Sequence, residues 1–229
     1  MNMTRNDIRK AARRVLAGGL FLLMGQVSLA QASLMPMPAQ VRYAQGYFSL
    51  KNGFTLSLDG ISTDRLCKES SRFLQRLSEH TGIWMKTWVV TSGQKSDSAS
   101  LRIKVSGKAD VQLGMDESYR IEVNKQGIEL TANTDVGAIR GLETILQLVG
   151  SAGKGYQVQY VSIQDRPRFV WRGLLLSQPY HFMSLAAVER LLDQMALVKM
   201  NVLHYYISDD QAFTLESKAY PALHEKASN

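Results

Sequence analysis

Residues 204–217 read HYYISDDQAFTLES, and the neighbouring carboxylates Asp209 and Asp210 come directly after an apolar run fit for a buried strand. A carboxylate buried without partners costs several kcal/mol, so a strand that ends in paired acids reaches either solvent or a site that uses charge. Two chemistries suit such a pair. Carboxylates can hold or pass protons beside a polar substrate, and together with His204 they can hold a cation. No further ligand falls at a recognisable spacing, so neither a metal nor a cofactor is expected. A solvated turn or helix cap explains the position of the pair equally well. A second polar loop, SQPYHFMS over 177–184, also follows an apolar run and holds Tyr180 and His181.

The elements that must position these loops are legible as pattern. VWRGLLL (170–176) ends in continuously apolar residues, the mark of a strand buried on both faces. Ser184 is placed to cap a helix with Leu185, Val188, Leu191, Leu192, Met195 and Val198 along one stripe. NVLHYYI (201–207) is a second apolar strand. Strand, helix and strand within about 40 residues make a right-handed parallel unit. In parallel α/β architectures the loops after strand carboxyl ends carry chemistry, which puts both polar loops on one rim.

Upstream the rhythm differs. FTLSL (54–58), LRIKV (101–105), YRIEV (119–123) and GIELTA (127–132) alternate apolar and polar residues as half-buried strands do, and Asn124 to Gly127 join two of them as a hairpin. Leu66, Phe73, Leu74 and Leu77 recur at helical spacing between Thr63 and His80, and Cys67 lies on the same stripe as a buried small apolar residue. A second helix is expected over 135–149, with Val136, Ile139, Leu142, Ile145, Leu146 and Val149 on one face. Gly137 and Gly141 on that helix either allow close approach to the sheet or are merely tolerated. The polar, proline-bearing stretch QDRPR (164–168) ends this α+β domain, a sheet covered by helices.

The formal charge of +7 raises the question of a nucleic-acid partner, but Arg5, Arg9, Lys10, Arg13 and Arg14, against Asp7 alone, concentrate it in the first 32 residues. No later stretch interleaves basic residues with aromatics, so no nucleic acid is expected. The basic start, the apolar VLAGGLFLLMG and Ala30-Gln31-Ala32 have the parts of a secretory signal peptide over 1–32. The apolar stretch falls short of the ~20 residues that span a bilayer, so the mature chain is expected to be exported, periplasmic or extracellular, with no membrane association after cleavage. Cys67 is the single cysteine, and a disulfide within the chain is excluded.

RPRFVWRGLLL, a histidine-containing loop, LVKMNVLH and SDDQAFTLESKAYPAL, in that order, resemble the opening of the catalytic barrel of glycoside hydrolase family 20, the β-N-acetylhexosaminidases. ESYRIEVNKQGIELTANTDVGAIRGLETILQLV is similar to the α+β domain that precedes that barrel, and MPMPAQVRYAQGYFSL to its first strands. The resemblance implies a signal peptide (1–32), an α+β amino-terminal domain (33–164) and, over 165–229, the first βαβ unit of an incomplete (β/α)8 TIM barrel. It further implies action on glycans that end in N-acetylglucosamine or N-acetylgalactosamine, in which the substrate's own acetamido oxygen is the nucleophile. By that likeness Asp209 is a supporting acid that bonds a histidine from a later strand, and His181, His204 and Asp210 are sugar contacts. Tyr180 stands where relatives carry a sugar-gripping arginine, whose charged fork a phenol does not replace. Tyr205 and Tyr206 stand for the Trp and second His of a His-Trp-His run. The family's adjacent Asp-Glu pair, which orients the acetamide and donates the proton, lies well downstream of residue 229.

A barrel closes with eight strands, and 165–229 supplies two. At about 1.5–3 kcal/mol for each large apolar side chain left in water, half a dozen of them cost as much as the 5–15 kcal/mol margin of a domain. The chain by itself is therefore expected to be inactive, with 165–229 poorly ordered, aggregation-prone or docked irregularly on the first domain. A non-catalytic accessory or carbohydrate-binding role is the alternative.

Overall fold

The computed structural model describes residues 33–229 apart from 94, 95, 97, 154, 180, 181, 210, 211, 214, 228 and 229. The expected signal peptide lies outside the described residues. In chain order the first elements are β1 (Gln40–Leu50), β2 (Leu56–Gly60), α1 (Asp64–Thr81), β3 (Leu101–Gly107), β4 (Tyr119–Asn124), β5 (Gly127–Thr134), α2 (Asp135–Leu148), β6 (Val149–Ala152) and β7 (Gly155–Asp165). They build one mixed sheet in the order β1-β7-β4-β5-β3-β2, with β6 pairing β7. β2, β3 and β5 run parallel, and the other pairings are antiparallel.

Alternation decides which face of the sheet is covered. Leu101, Ile103 and Val105 of β3, Ile121 and Val123 of β4 and Ile128, Leu130 and Ala132 of β5 are buried. They meet Phe73, Leu74 and Leu77 of α1 and Leu142 and Ile145 of α2 in one core. The intervening Arg102, Lys104 and Glu129 face outward, and Lys104 Nζ pairs with Glu129 at 3.0 Å. Such a surface pair contributes about 0–1 kcal/mol, so burial, not charge, sets the register.

Local chemistry fixes the helix ends. Thr63 caps α1 by accepting from Leu66 N at 3.2 Å, and Gly82, at φ 69°, closes it in the left-handed region. Thr134 caps α2 in the same way through Gly137 N at 3.0 Å. Asp135, fully buried, ties the two amino ends together. It accepts Arg65 Nη2 at 2.9 Å, Thr63 Oγ1 at 2.7 Å and Ala109 N at 2.9 Å. Burial works against its charge, yet the bonds from Ala109, Thr63 and Arg65 hold the carboxyl below its ordinary value.

The glycine alternatives are resolved. A Cβ on Gly137 would sit 2.4 Å from the Ser118 carbonyl oxygen, and one on Gly141 would sit 2.3 Å from Leu130 Cδ1, so both positions require close approach. Two readings from pattern need amendment. Cys67 is half-buried at the core's edge rather than buried. β7, which holds β1 and β4 to either side, carries no alternating signature, because Val158, Val161 and Ile163 change phase midway.

The chain continues through β8 (Gly173–Ser177), α3 (Leu185–Leu197), β9 (Val202–Tyr206), β10 (Ser208–Asp209), β11 (Ala212–Phe213) and α4 (Pro221–Ala227). β8 and β9 pair in parallel, with Gly173 opposite Val202 and Ser177 opposite Tyr206. Ser184 caps α3 through Ala187 N at 3.4 Å. The expected burial does not follow. No residue of β8 or β9 is buried, Leu175 is 58% exposed, and along the α3 stripe Met195 is buried while Leu185 is 74% exposed. The cause is architectural: among the described residues this sheet has two strands, too few to cover two apolar faces.

Buried, hydrogen-bonded ion pairs join this unit to the first sheet. Glu117, 5% exposed, accepts Arg140 Nε at 2.7 Å and Arg172 Nη2 at 2.7 and 2.6 Å. Arg172 also donates Nε to Lys199 O at 2.8 Å and Nη1 to Phe169 O at 2.7 Å, while Asn201 Oδ1 accepts its backbone N–H at 2.9 Å. Lys199, just beyond α3 at φ 60°, is buried and donates to Tyr119 Oη at 2.6 Å and Asp165 Oδ2 at 3.1 Å. Burial lowers the Lys199 pKa although Asp165 opposes the shift. Burial, with the adjacent Asp165 charge, raises that of the Tyr119 phenol.

Candidate active site

The carboxyl ends of β8 and β9 lie side by side, and Gln178 N extends their ladder by donating to Tyr206 O at 2.8 Å. Gln178 then closes the loop that follows β8. Its side-chain amide donates to Met183 O at 3.0 Å and accepts Met183 N at 3.3 Å, and the residue is 4% exposed. A buried amide bonded to both backbone groups of one residue sets the loop's shape. Tyr180 and His181, which that loop carries, lie outside the described residues.

Register partners in a parallel pair share a face, so His204 and Tyr206 stand with Leu175 and Ser177 on one side, and Leu203 and Tyr205 with Leu174 and Leu176 on the other. His204 is exposed, and Tyr206 is 36% exposed. The Ser177 hydroxyl oxygen is buried without a hydrogen-bond partner among the described residues. Sequence reasoning gave no role to Ser177 or Gln178. A polar residue ending an apolar strand was the available signal for the first, and the second has none short of its burial.

Asp209 belongs to a short antiparallel ladder in which it faces Ala212 and Ser208 faces Phe213. It is half-buried and stands just beyond the end of β9. Asp210 lies outside the described residues. Ser177 and Tyr206 thus end the paired strands and Asp209 follows just beyond, at the rim where parallel α/β folds place their chemistry, whereas His204 lies midway along β9 opposite Leu175. Among the described residues there is no group of three metal-ligating side chains.

One adjacent Asp-Glu pair does occur, Asp116-Glu117, and it serves structure. Glu117 is held by two guanidiniums, and hydrogen bonds from Ser118 and Asn133 keep the Asp116 carboxyl below its ordinary value. The cavity between α1, α2 and α3, about 770 Å³, is lined by ion-paired residues such as Arg76 and Glu143 and holds none of the rim side chains.

Two family models match the chain. Residues 31–166 match "Glycosyl hydrolase family 20, domain 2", and residues 169–229 match "Glycosyl hydrolase family 20, catalytic domain". The chain belongs to glycosyl hydrolase family 20. Its family 20 relatives include beta-hexosaminidase 1 of Arabidopsis thaliana, 32% identical over 207 residues, which span 83% of this chain and 38% of that protein. The beta-hexosaminidase of Vibrio furnissii is 30% identical over 195 residues, 85% of this chain and 29% of the relative. Among solved family 20 structures, a chitobiase from Flavobacterium johnsoniae superimposes with TM-score 0.82 at 38% identity, covering 86% of this chain and 30% of that one. The β-N-acetylhexosaminidase of Streptomyces coelicolor gives TM-score 0.67 at 26% identity over 84% of this chain and 38% of its own. The chain thus spans between about a fifth and two fifths of the length of the curated relatives it matches. The two family 20 matches meet around Pro167, beside the arginine-rich junction described above.

Proposed function

We propose that this chain forms the amino-terminal part of an exported β-N-acetylhexosaminidase that removes terminal N-acetylglucosamine or N-acetylgalactosamine from glycans with retention of configuration. The observation that carries the reading is the tandem order of the two family 20 domains, with Asp209 just past the second strand of the catalytic one. We assign 1–32 to a signal peptide, 33–164 to the α+β domain and 165–229 to the start of a TIM barrel, and place the protein in the periplasm or outside the cell.

The substrate's acetamido oxygen attacks its own anomeric carbon, so the protein supplies no carboxylate nucleophile. An adjacent Asp-Glu pair beyond residue 229 orients the acetamide and protonates the leaving oxygen. Asp209 is a positioning acid for that machinery, while His181, His204 and Asp210 line the sugar's approach, with Tyr180 in place of a charged fork. The chain of 229 residues is expected to release no p-nitrophenol from p-nitrophenyl N-acetylglucosaminide. The same chain continued through a complete barrel is expected to release it, with Asp209→Asn lowering kcat and shifting the acid limb of the pH profile. Release by the 229-residue chain, or none by the completed one, counts against the reading.

Tyr180 and Tyr206, at positions where relatives carry Arg and His, favour a second reading, a non-catalytic carbohydrate-binding or accessory protein. The nucleotide sequence after codon 229 separates the two. A reading frame encoding the Asp-Glu pair supports the enzyme, and an intact stop with no such remnant supports the accessory role.

A further inference from the structure

Trp84 is 65% exposed, Trp88 36% and Val89 68%, an apolar cluster that water would normally drive inward. The loop that presents them is nevertheless anchored at both ends. Met85 is 0% exposed and bridges to Phe54, Trp84 N donates to Asn52 Oδ1 at 2.9 Å, and Gly53 N donates to Trp84 O at 2.8 Å. At the far end Val90 is 4% exposed, and its N–H donates to Ser71 Oγ of α1 at 2.9 Å. The two indoles therefore stand on a fixed base, with centroids 5.6 Å apart and planes at 83°. That is a corner of two aromatic walls, and a preorganised one loses little order when a ligand enters it.

Trp88 borders an open groove of about 800 Å³, whose other wall is α1. Its size falls within the range of small-molecule sites. Its polar lining consists of Ser71, whose hydroxyl already bonds Cys67 O and Val90 N, Gln75, whose amide nitrogen donates to Glu79, and Thr91 and Ser92, with one acid, Asp64, and one base, Lys68. Arg72 at its edge is committed to Asp193 and Glu69. A groove that balances its own charge, carries hydroxyl and amide groups and has one indole, Trp88, in its wall, with Trp84 standing edge-on to that indole outside the groove, matches a neutral, polyhydroxylated ligand with flat C–H faces. We propose that Trp84, Trp88 and the α1 groove form an ancillary binding site for an oligosaccharide of N-acetylhexosamine units. One pyranose lies against an indole face, and the next places its acetamide and hydroxyls on Gln75 and Ser92. The sugar class rests on the function proposed above, whereas the aromatic corner rests on geometry alone. None of these groove-forming groups belongs to 165–229.

The test is calorimetric titration of the 229-residue chain with the N-acetylglucosamine tetrasaccharide and with cellotetraose, beside sedimentation velocity. The acetylated sugar is expected to bind saturably. Trp84→Ala and Trp88→Ala are each expected to weaken it by about tenfold, while Trp171→Ala, at an indole 59% exposed elsewhere, leaves it unchanged. Gln75→Ala provides a second route, because it leaves the aromatic loop intact and is expected to weaken binding as well. No saturable binding, or unaltered binding by both tryptophan variants, overturns the proposal. Equal binding of cellotetraose overturns the sugar class, and self-association that the tryptophan variants abolish shows a second copy covering the corner instead. Hydrolysis plays no part in these measurements, so their failure leaves the hexosaminidase reading to its own assay.

Discussion

At the scale of single residues, the junction depends on Glu117. Its carboxylate is 4% exposed and lies between Arg140 and Arg172, whose side chains are 13% and 16% exposed. Removing one partner from a buried ion pair strands the others, so Glu117→Gln is expected to cost about 3 kcal/mol, read as a lower urea midpoint. Arg172→Lys is expected to be destabilising too, because a point charge does not reproduce a guanidinium that serves Glu117, Lys199 O and Phe169 O at once. Asp135 sets the acid response. Its folded-state carboxyl titrates below the ordinary value, so its contribution is complete above about pH 4 and is lost as pH falls through the folded value. Asp116 and Glu129 shift the same way. Thermal unfolding is expected to be level from neutral pH to about 5 and to fall below about 4, with Asp135→Asn less stable at pH 7 and less steep in acid. None of this was legible in sequence, since Glu117 meets its arginines across 23 and 55 residues. Asp209 stands out in the sequence because an acid directly after an apolar strand is a local signal, and His204 because it interrupts an apolar run.

At the scale of elements, what chain-local chemistry determines was readable and what neighbours determine was not. The cap at Ser184, the 124–127 hairpin and the strand–helix–strand order after residue 170 all follow from adjacent residues. Burial along β8 and α3 depends on which layers lie opposite, and the pattern that announces a two-sided core says nothing of where the other layers come from. Gly137 gives this scale its test. In an ordinary helix Gly→Ala stabilises by about 1 kcal/mol. Here a methyl would meet the Ser118 carbonyl oxygen, which belongs to backbone and has no freedom to withdraw. Gly137→Ala is therefore expected to destabilise by about 1–3 kcal/mol, seen as a lower Tm with the same circular dichroism when folded.

At the scale of the whole molecule, the two halves differ in what secures them. The α+β sheet has a continuous apolar core, whereas Phe169, Val170, Trp171, Leu175 and Phe182 are more than half exposed. Brief chymotrypsin treatment of the 229-residue chain is expected to cut within 169–229 first and to leave a resistant piece that contains the α+β sheet. Resistance of the full chain would show that the ionic junction alone is enough to protect it. That junction also bears on the order of assembly. Arg172 and Lys199 find their partners among residues that leave the ribosome earlier, and domains complete themselves from the amino end as synthesis proceeds. The finished sheet can therefore moor β8 and β9 as they emerge, so that Glu117 and Asp165 hold this two-stranded unit in place from its first appearance.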